Sequence, residues 1–439
     1  MGDRRVYHSV TLDRDRCMGC TNCIKRCPTE AIRVREGKAL IISERCIDCG
    51  ECIRLCPHHA KKAVYDRKSD FDGKFQYTVA LPAPSLYGQF NNLDDVDYVL
   101  TGLKHIGFDD VFEVATAAEI VSDYTRRILA GKTALEVKRP MISTACPAVV
   151  RLIQVKFPDL LPNLLPVLTP AELAGKLAKR EAAKKTGLSP SEIGTFFISP
   201  CPAKVTSART PIGMHESYID GVLSMSSVYK KLVSAMNKIT EPEPLSHSGI
   251  VGISWASSGG EAAALLRDKY LAADGIENVK KVLEELEDDR LPECEFVELN
   301  ACISGCVGGA LAFETPFIAK TRLQILRRCL PVSRNAYNAE ELREEELHWE
   351  KGPAFNPALL LDDDFGSALH KRRQIDEIEA QLPGLDCGSC GAPSCRALAE
   401  DIVRGSAKET DCIFILRRKV FGMYQELSNF DNYGPRDKE

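Results

Sequence analysis

The chain has 439 residues, 44% of them hydrophobic, which suffices for a large core and points to about two to four domains. A formal net charge of −5 excludes a global basic field for nucleic acid. No uninterrupted apolar run approaches the ~20 residues that span a bilayer, and "MGDRRVYHSVTLDRDRC" lacks the apolar stretch of a signal peptide. The Met-Gly-Asp opening has no Ser or Thr at the sixth position, which argues against myristoylation. A cytoplasmic protein with neither membrane nor nucleic acid as partner is expected. In a reducing compartment its 18 cysteines should not pair as disulfides.

Residues 1 to 75 are expected to form a ferredoxin-like domain. "CMGCTNCIKRCP" holds Cys17, Cys20, Cys23 and Cys27, and "CIDCGECIRLCP" holds Cys46, Cys49, Cys52 and Cys56. Each run is C-x2-C-x2-C-x3-C-P, and the second follows the first at an offset of 29 residues. This is the two-cluster ferredoxin pattern, in which the fourth cysteine of each run ligates the other cubane. Cys17, Cys20, Cys23 and Cys56 are thus expected on one 4Fe–4S cluster, and Cys46, Cys49, Cys52 and Cys27 on a second. Zinc would call for two C-x2-C pairs per site instead. The intervening "AIRVREGKALIIS" reads as a hairpin.

From residue 76 to 335, strand-like and helix-like text alternates, so an α/β domain is expected. Cys146, Cys201 and Cys302 each follow a short apolar run: "RPMIST", "GTFFISP" and "EFVELNA". Strands of a parallel sheet deliver their C-terminal ends to one edge, where ligands bind. With Cys306 four residues beyond Cys302, four thiolates could meet on one cluster. "SWASSGGEAAALLRDKYL" reads as a loop capping a helix, with serines as N-cap candidates. "GIENVKKVLEELEDDRLPE" reads as a charged surface helix. Cys294 and Cys329 are left over and read as buried structural thiols. The eight histidines show no ligand spacing.

Residues 336 to 380 are polar and acidic and read as a linker with helices. Residues 381 to 439 carry "CGSCGAPSC" and a later cysteine, giving Cys387, Cys390, Cys395 and Cys412. Glycines allow the tight loop that a cubane needs. "RALAEDIVRGSA" is the helix expected to return Cys412. The four cysteines suit one more 4Fe–4S cluster, with a zinc knuckle as the alternative. The run resembles the small iron–sulfur domain of some electron-transfer complex subunits.

Taken together, "STACP", "SPCPAK" and "NACISGCVGG" resemble the three cysteine signatures of the FeFe-hydrogenase catalytic domain. Minor segments agree: "VALPAPSLYGQF", "IGFDDVFE" and "FPDLLPNLLP" are similar to further family text. The resemblance covers about residues 1 to 335. It implies a two-lobed domain around an H-cluster, in which a cubane joins a two-iron unit bearing CO, cyanide and a bridging dithiolate amine. By motif position, Cys146, Cys201, Cys302 and Cys306 would ligate that cubane, and Cys306 would bridge to the two-iron unit. Lys204 matches the lysine that hydrogen-bonds a cyanide. Pro84 and Ser85 match the stretch lining the diiron ligands.

Departures from the family pattern bear on function. Ala145 stands where the family has its proton-donating cysteine, and Ser207 where it has a glutamate. Ser199 and Asn300 replace two methionines near the diiron unit. Another relay carboxylate of the family is matched only by "EIVSDYT", where Asp123 could partly substitute. The usual proton wire reads as cut while every metal ligand survives. That combination, with the extra C-terminal cluster, resembles the sensory-type FeFe hydrogenases in a short form without a PAS domain. The resemblance implies slow reversible conversion of H2 to protons and electrons, with cubanes wired to an unknown redox or signalling protein. Two other readings stay open: an iron–sulfur electron-transfer or scaffold protein lacking the diiron unit, and a full-speed hydrogenase.

Overall fold

The computed structural model describes residues 7–291, 293–333 and 342–431. Its strands, in chain order, are β1 (Val10–Leu12), β2 (Ile32–Arg35), β3 (Lys38–Ile41), β4 (Lys61–Ala63), β5 (Tyr77–Pro82), β6 (Asp110–Val111), β7 (Met141–Ile142), β8 (Ile193–Ser199), β9 (Gly221–Ser224), β10 (Tyr270–Asp274) and β11 (Phe296–Asn300). The chain forms two compact units. One holds Cys46–Arg54, Lys62–Asn356 and the N-terminal residues through Thr11; the other holds Leu12–Arg45, Leu55–Lys61 and the chain from Pro357 onward.

The larger unit is α/β, as the alternation of strand-like and helix-like text predicts. One sheet runs β6-β5-β8-β9 and another β10-β11-β7, and every pairing in both is parallel. β8 reads IGTFFIS and is buried at every position. A β-branched and aromatic strand without polar alternation suits the centre of a parallel sheet covered on both faces. The apolar faces of Val114–Leu129 and Pro170–Thr186 supply cover for this sheet. A second core forms where Pro147–Lys156 and Ile276–Glu287 meet β11 through Val149, Ile153, Val279, Leu283 and Val297. The second of these helices is therefore not wholly a solvated face: Ile276, Val279, Leu283 and Leu286 are buried. The expectation of a single sheet edge for the cysteines is corrected by these pairings. β7 and β11 belong to one sheet and β8 to the other, and the C-terminal ends of both deliver cysteines.

In the smaller unit, β2 and β3 pair antiparallel, as the hairpin reading requires. Glu36 and Gly37, between them, both have positive φ, 50° and 71°. That is the two-residue turn whose twist matches paired strands. Cys395–Val403 is the helix that leads back toward Cys412, and it packs with Phe365–Gln381 through Ile375, Leu382, Leu398 and Ile415. Asp401 accepts from Arg33 Nε at 2.7 Å and Arg35 Nη2 at 2.6 Å, which pins this helix to the hairpin. Of the polar stretch expected as a linker, residues 336–341 lie outside the described residues.

Candidate active site

Four cysteines of the larger unit, Cys146, Cys201, Cys302 and Cys306, line one cavity of about 830 Å³. Two reach it by the same local device. Cys146 and Cys201 are N-cap residues in extended conformation, each followed by proline at the first helical position. Proline there has the φ a helix needs and lacks an N–H that would go unpaired. Strand, cysteine and helix start are thereby fixed in one turn. Cys302 follows β11, and Cys306 lies in the 3-10 turn Gly305–Gly308. Between them Ser304 and Gly305 hold φ of 65° and 83°. A Cβ on Gly305 would lie 2.4 Å from the Ser258 nitrogen, so the turn that folds Cys306 back beside Cys302 needs glycine there.

The electrostatics of this cluster suit a cationic group. Burial pushes the Cys201 thiol far up, and Cys302, Cys146 and Cys306 push it further. Burial likewise lifts Cys306 to about 12, against the opposing pull of Lys204. Four crowded thiols in a dry pocket ionise together only with a positive centre among them, which bound iron would supply. Ser85 gives a second indication of fit. Its Oγ is buried without a hydrogen-bond partner in the same cavity. An orphaned buried hydroxyl is costly unless a bound group satisfies it.

Pro84, Ala145, Ser199, Lys204 and Asn300 line the cavity as well. Lys204 Nζ donates to the Ala145 carbonyl at 2.8 Å. Ser199 Oγ accepts from the Cys201 N–H at 3.2 Å, and Asn300 Nδ2 donates to Glu298 at 2.8 Å. Ser207 is elsewhere. It lines a neighbouring cavity of about 330 Å³ with Lys204, Trp349 and the buried Glu172. Asp123 is outside the site too, paired to Arg126 at 2.9 Å with 42% of its side chain exposed.

Two carboxylates that the motifs do not flag line the main cavity: Glu261 and Glu298. Glu298 accepts from the Gly259 and Ala262 N–H groups at 2.9 and 2.8 Å. This corrects the serine-capping expectation. The helix Gly260–Ala264 has Gly259 at its N-cap with no side-chain cap, and a carboxylate from β11 takes its free N–H groups. Glu261 accepts from Ser143 Oγ at 2.6 Å, and Ser143 Oγ in turn accepts from the Ala145 N–H at 3.2 Å. Burial, and next the Glu298 charge, raise Glu261 to about 8. At neutral pH the pair holds a proton beside the cysteines. "SSGGEAAA" offered only an isolated glutamate at a helix start, and no local spacing tied it to Glu298.

In the smaller unit, Cys17, Cys20, Cys23 and Cys56 line one cavity of about 350 Å³. Cys387, Cys390, Cys395 and Cys412 line another of about 300 Å³. Cys46, Cys49 and Cys52 belong to the larger unit and Cys27 to the smaller. The two leftover thiols divide. Cys294 is half-buried and its Sγ lies 3.2 Å from the Phe296 carbonyl. Cys329 is exposed, against expectation, because the turn Arg327–Cys329 carries it to the surface after Pro316–Leu326.

Quartets of cysteines lining one cavity each are the donor set that iron–sulfur clusters take. A family model described as iron only hydrogenase large subunit, C-terminal domain, matches residues 76–271 and 262–310. Models for a 4Fe-4S dicluster domain and for an Fe-S cluster match residues 9–57 and 382–414. The chain belongs to the FeFe hydrogenase family. It is 24% identical to iron hydrogenase 1 of Clostridium pasteurianum over 371 residues, 69% of this chain and 64% of that one. It is 26% identical to the large subunit of the periplasmic [Fe] hydrogenase of Nitratidesulfovibrio vulgaris over 306 residues, 62% of this chain and 70% of that one. The chain therefore spans just under two thirds of the length of the clostridial relative. FeFe hydrogenase HydA1 of Chlamydomonas reinhardtii superposes with a TM-score of 0.43 at 17% identity, covering 70% of this chain and 93% of that one. Among the described residues, no helix is long and apolar enough to cross a membrane.

A thiol at position 145 would join the chain of contacts from Ser143 to Glu261. For a chain acting as a hydrogenase, Ala145→Cys is expected to raise H2 turnover toward the lower end of the ~10²- to 10⁴-fold range of positioned acid–base groups. Adding Ser207→Glu should bring no further gain, because it sets a second carboxylate beside Glu172, in a cavity apart from the cysteines. H2 evolution by the two variants, at equal loading with the diiron unit, is the measurement.

Proposed function

We propose that this chain is a sensory-type FeFe hydrogenase that interconverts H2 with protons and electrons slowly and passes electrons through cubanes to a redox or signalling partner. The carrying observation is convergence: four motif thiols, Lys204 and an orphaned Ser85 hydroxyl face one cavity with two buried carboxylates. Cys146, Cys201, Cys302 and Cys306 would hold the cubane of the H-cluster, with Cys306 bridging to the diiron unit. Once bound, the H-cluster supplies the splitting and formation of H2. The protein's own residues do the rest. Lys204 would offer its ammonium to a cyanide, and Ser85 would offer its hydroxyl to a diiron ligand. Ala145 carries no proton, and Glu261, linked to its N–H through Ser143, is the carboxyl group placed to hold one. The reading as slow rests on that replacement and on the polar Ser199 and Asn300 in the cavity wall.

Three further cubanes serve as the relay. Cubane ligation by the cysteine quartets, rather than zinc, is supported by the doubled C-x2-C-x2-C-x3-C-P spacing of the first eight cysteines and by the iron–sulfur family models over residues 9–57 and 382–414. Electron exchange between the C-terminal cubane and the cubane on Cys17, Cys20, Cys23 and Cys56 is supported by backbone contact in the smaller unit. The Val34 N–H donates to the Gly391 carbonyl at 2.8 Å, and Arg35 Nη1 to the Cys390 carbonyl at 2.9 Å. Val34 also lines the cavity of Cys17, Cys20, Cys23 and Cys56.

Infrared spectra and iron analysis of protein matured with the diiron unit test the reading. CO and cyanide bands with about sixteen cubane irons are expected, four per cluster. Absence of those bands from protein with full cubanes would leave an electron-transfer or scaffold protein instead.

A further inference from the structure

The Cys46–Arg54 segment lies in the larger unit with the catalytic cysteines, and one side chain joins the two sets. Arg54 Nη1 approaches Cys302 Sγ at 3.5 Å and the Gly308 carbonyl at 3.4 Å. Its Nη2 donates to the Cys49 carbonyl at 3.3 Å and to Glu51 at 2.8 Å. One planar guanidinium thus touches the ligand loop of the ferredoxin-type cubane and a ligand thiol of the catalytic cubane. Only 24% of its side chain is exposed, so its charge acts in a poorly screened setting.

A second arginine borders the same seam. Arg151 feels the charges of Asp48, Cys46 and Cys201, and its Nη1 is buried without a partner. Asp48 fixes the segment against the helix Pro202–Arg209, accepting from Thr206 Oγ1 at 2.7 Å and from the Ser9 and Val10 N–H groups at 3.0 and 2.9 Å. The contacts of Arg54 are therefore held from both sides.

We propose that Arg54 is a positioning residue for electron transfer, which raises the reduction potential of the cubane on Cys302 by donating to that thiolate. Cluster potentials follow net charge and hydrogen bonds to sulfur. A cation and donor at one ligand stabilises the reduced, more negative cubane. An electron leaving the Cys46–Cys49–Cys52 cubane then finds the catalytic cubane the favoured acceptor. Glu51 moderates the effect, because its carboxylate neutralises part of the same guanidinium. This assignment rests on the proposed ligation of a cubane by Cys302 and of another by Cys49.

The test is a redox titration of the cubanes in the full chain, followed by electron paramagnetic resonance, before and after insertion of the diiron unit. Arg54→Gln should lower the potential of the catalytic cubane, by a shift on the order of tenfold in the one-electron equilibrium, ~59 mV. Arg54→Lys should recover part of that shift, since it keeps the charge and loses the fork. Glu51→Gln should move the potential the opposite way. An unchanged potential in Arg54→Gln with full iron content would overturn the proposal, as would shifts of the same sign in Arg54→Gln and Glu51→Gln. Should Arg54→Gln lose clusters, the paired Arg54→Lys and Glu51→Gln titrations still decide the sign. The cubane signal is read without the diiron unit, so missing CO and cyanide bands would sink the hydrogenase reading and leave this one standing.

Discussion

Under the proposed hydrogenase function, Glu261→Gln should abolish most H2 turnover while leaving the metal centre intact. The substitution keeps the shape and the contact with Ser143 but removes the group that exchanges a proton. Positioned acid–base groups contribute ~10²- to 10⁴-fold, and a loss within that range is expected if Glu261 is the first proton carrier. The pH dependence carries a matching sign. Glu261 is raised to about 8 by burial and by Glu298, so it holds its proton through neutral pH and releases it only above that value. H2 evolution, which needs the proton donor, should therefore decline as pH rises through about 8. H2 oxidation, which needs the carboxylate, should gain there. In Glu261→Gln that crossover should vanish. Glu298→Gln should act differently: removal of the neighbouring charge lowers the Glu261 pKa and moves the crossover to lower pH. Turnover in Glu261→Gln equal to wild type at matched CO and cyanide intensity would remove Glu261 from the route.

The second large effect is expected at Cys306. Cys306→Ala should eliminate the CO and cyanide bands of matured protein while leaving the cubane signals of the remaining quartets. Cys306 holds the position proposed for the bridging thiolate, and it stands on the turn that Ser304 and Gly305 fold back into the cavity. The quartets Cys17–Cys20–Cys23–Cys56 and Cys387–Cys390–Cys395–Cys412 line cavities of the other unit, so they should not feel the change. A variant that retained the diiron bands would reassign the bridge to Cys146, Cys201 or Cys302. Electron paramagnetic resonance of the reduced protein separates loss of the diiron unit alone from loss of its cubane.

Much of this protein was legible in its sequence because cluster chemistry is written in local spacing. A cubane of this kind takes three of its thiolates from one tight loop, so the two ferredoxin runs and "CGSCGAPSC" declare their chemistry within a dozen residues each, though the fourth thiolate lies farther along the chain. The hairpin after the first run was legible for the same reason, since its Glu-Gly turn is a local event. The α/β class followed from alternation, and the four cysteines that share one cavity of the larger unit from three short signatures placed after strands. What sequence could not give was anything built across long separations. It placed the cysteines on one sheet edge, whereas packing uses two sheets, because two- and five-residue strands carry no mark of the sheet they join. It followed the family's relay to Asp123 and Ser207, and packing turned those positions away from the cavity. The carboxylates that do face it, Glu261 and Glu298, meet only through the parallel pairing of β10, β11 and β7 and the short helix docked on β11. Arg54 reads in the sequence as one more charge in a ferredoxin run, and only tertiary packing sets it against Cys302. Ligand identity is fixed by covalent spacing along the chain, while proton and electron routes depend on which buried groups the fold brings within hydrogen-bond reach.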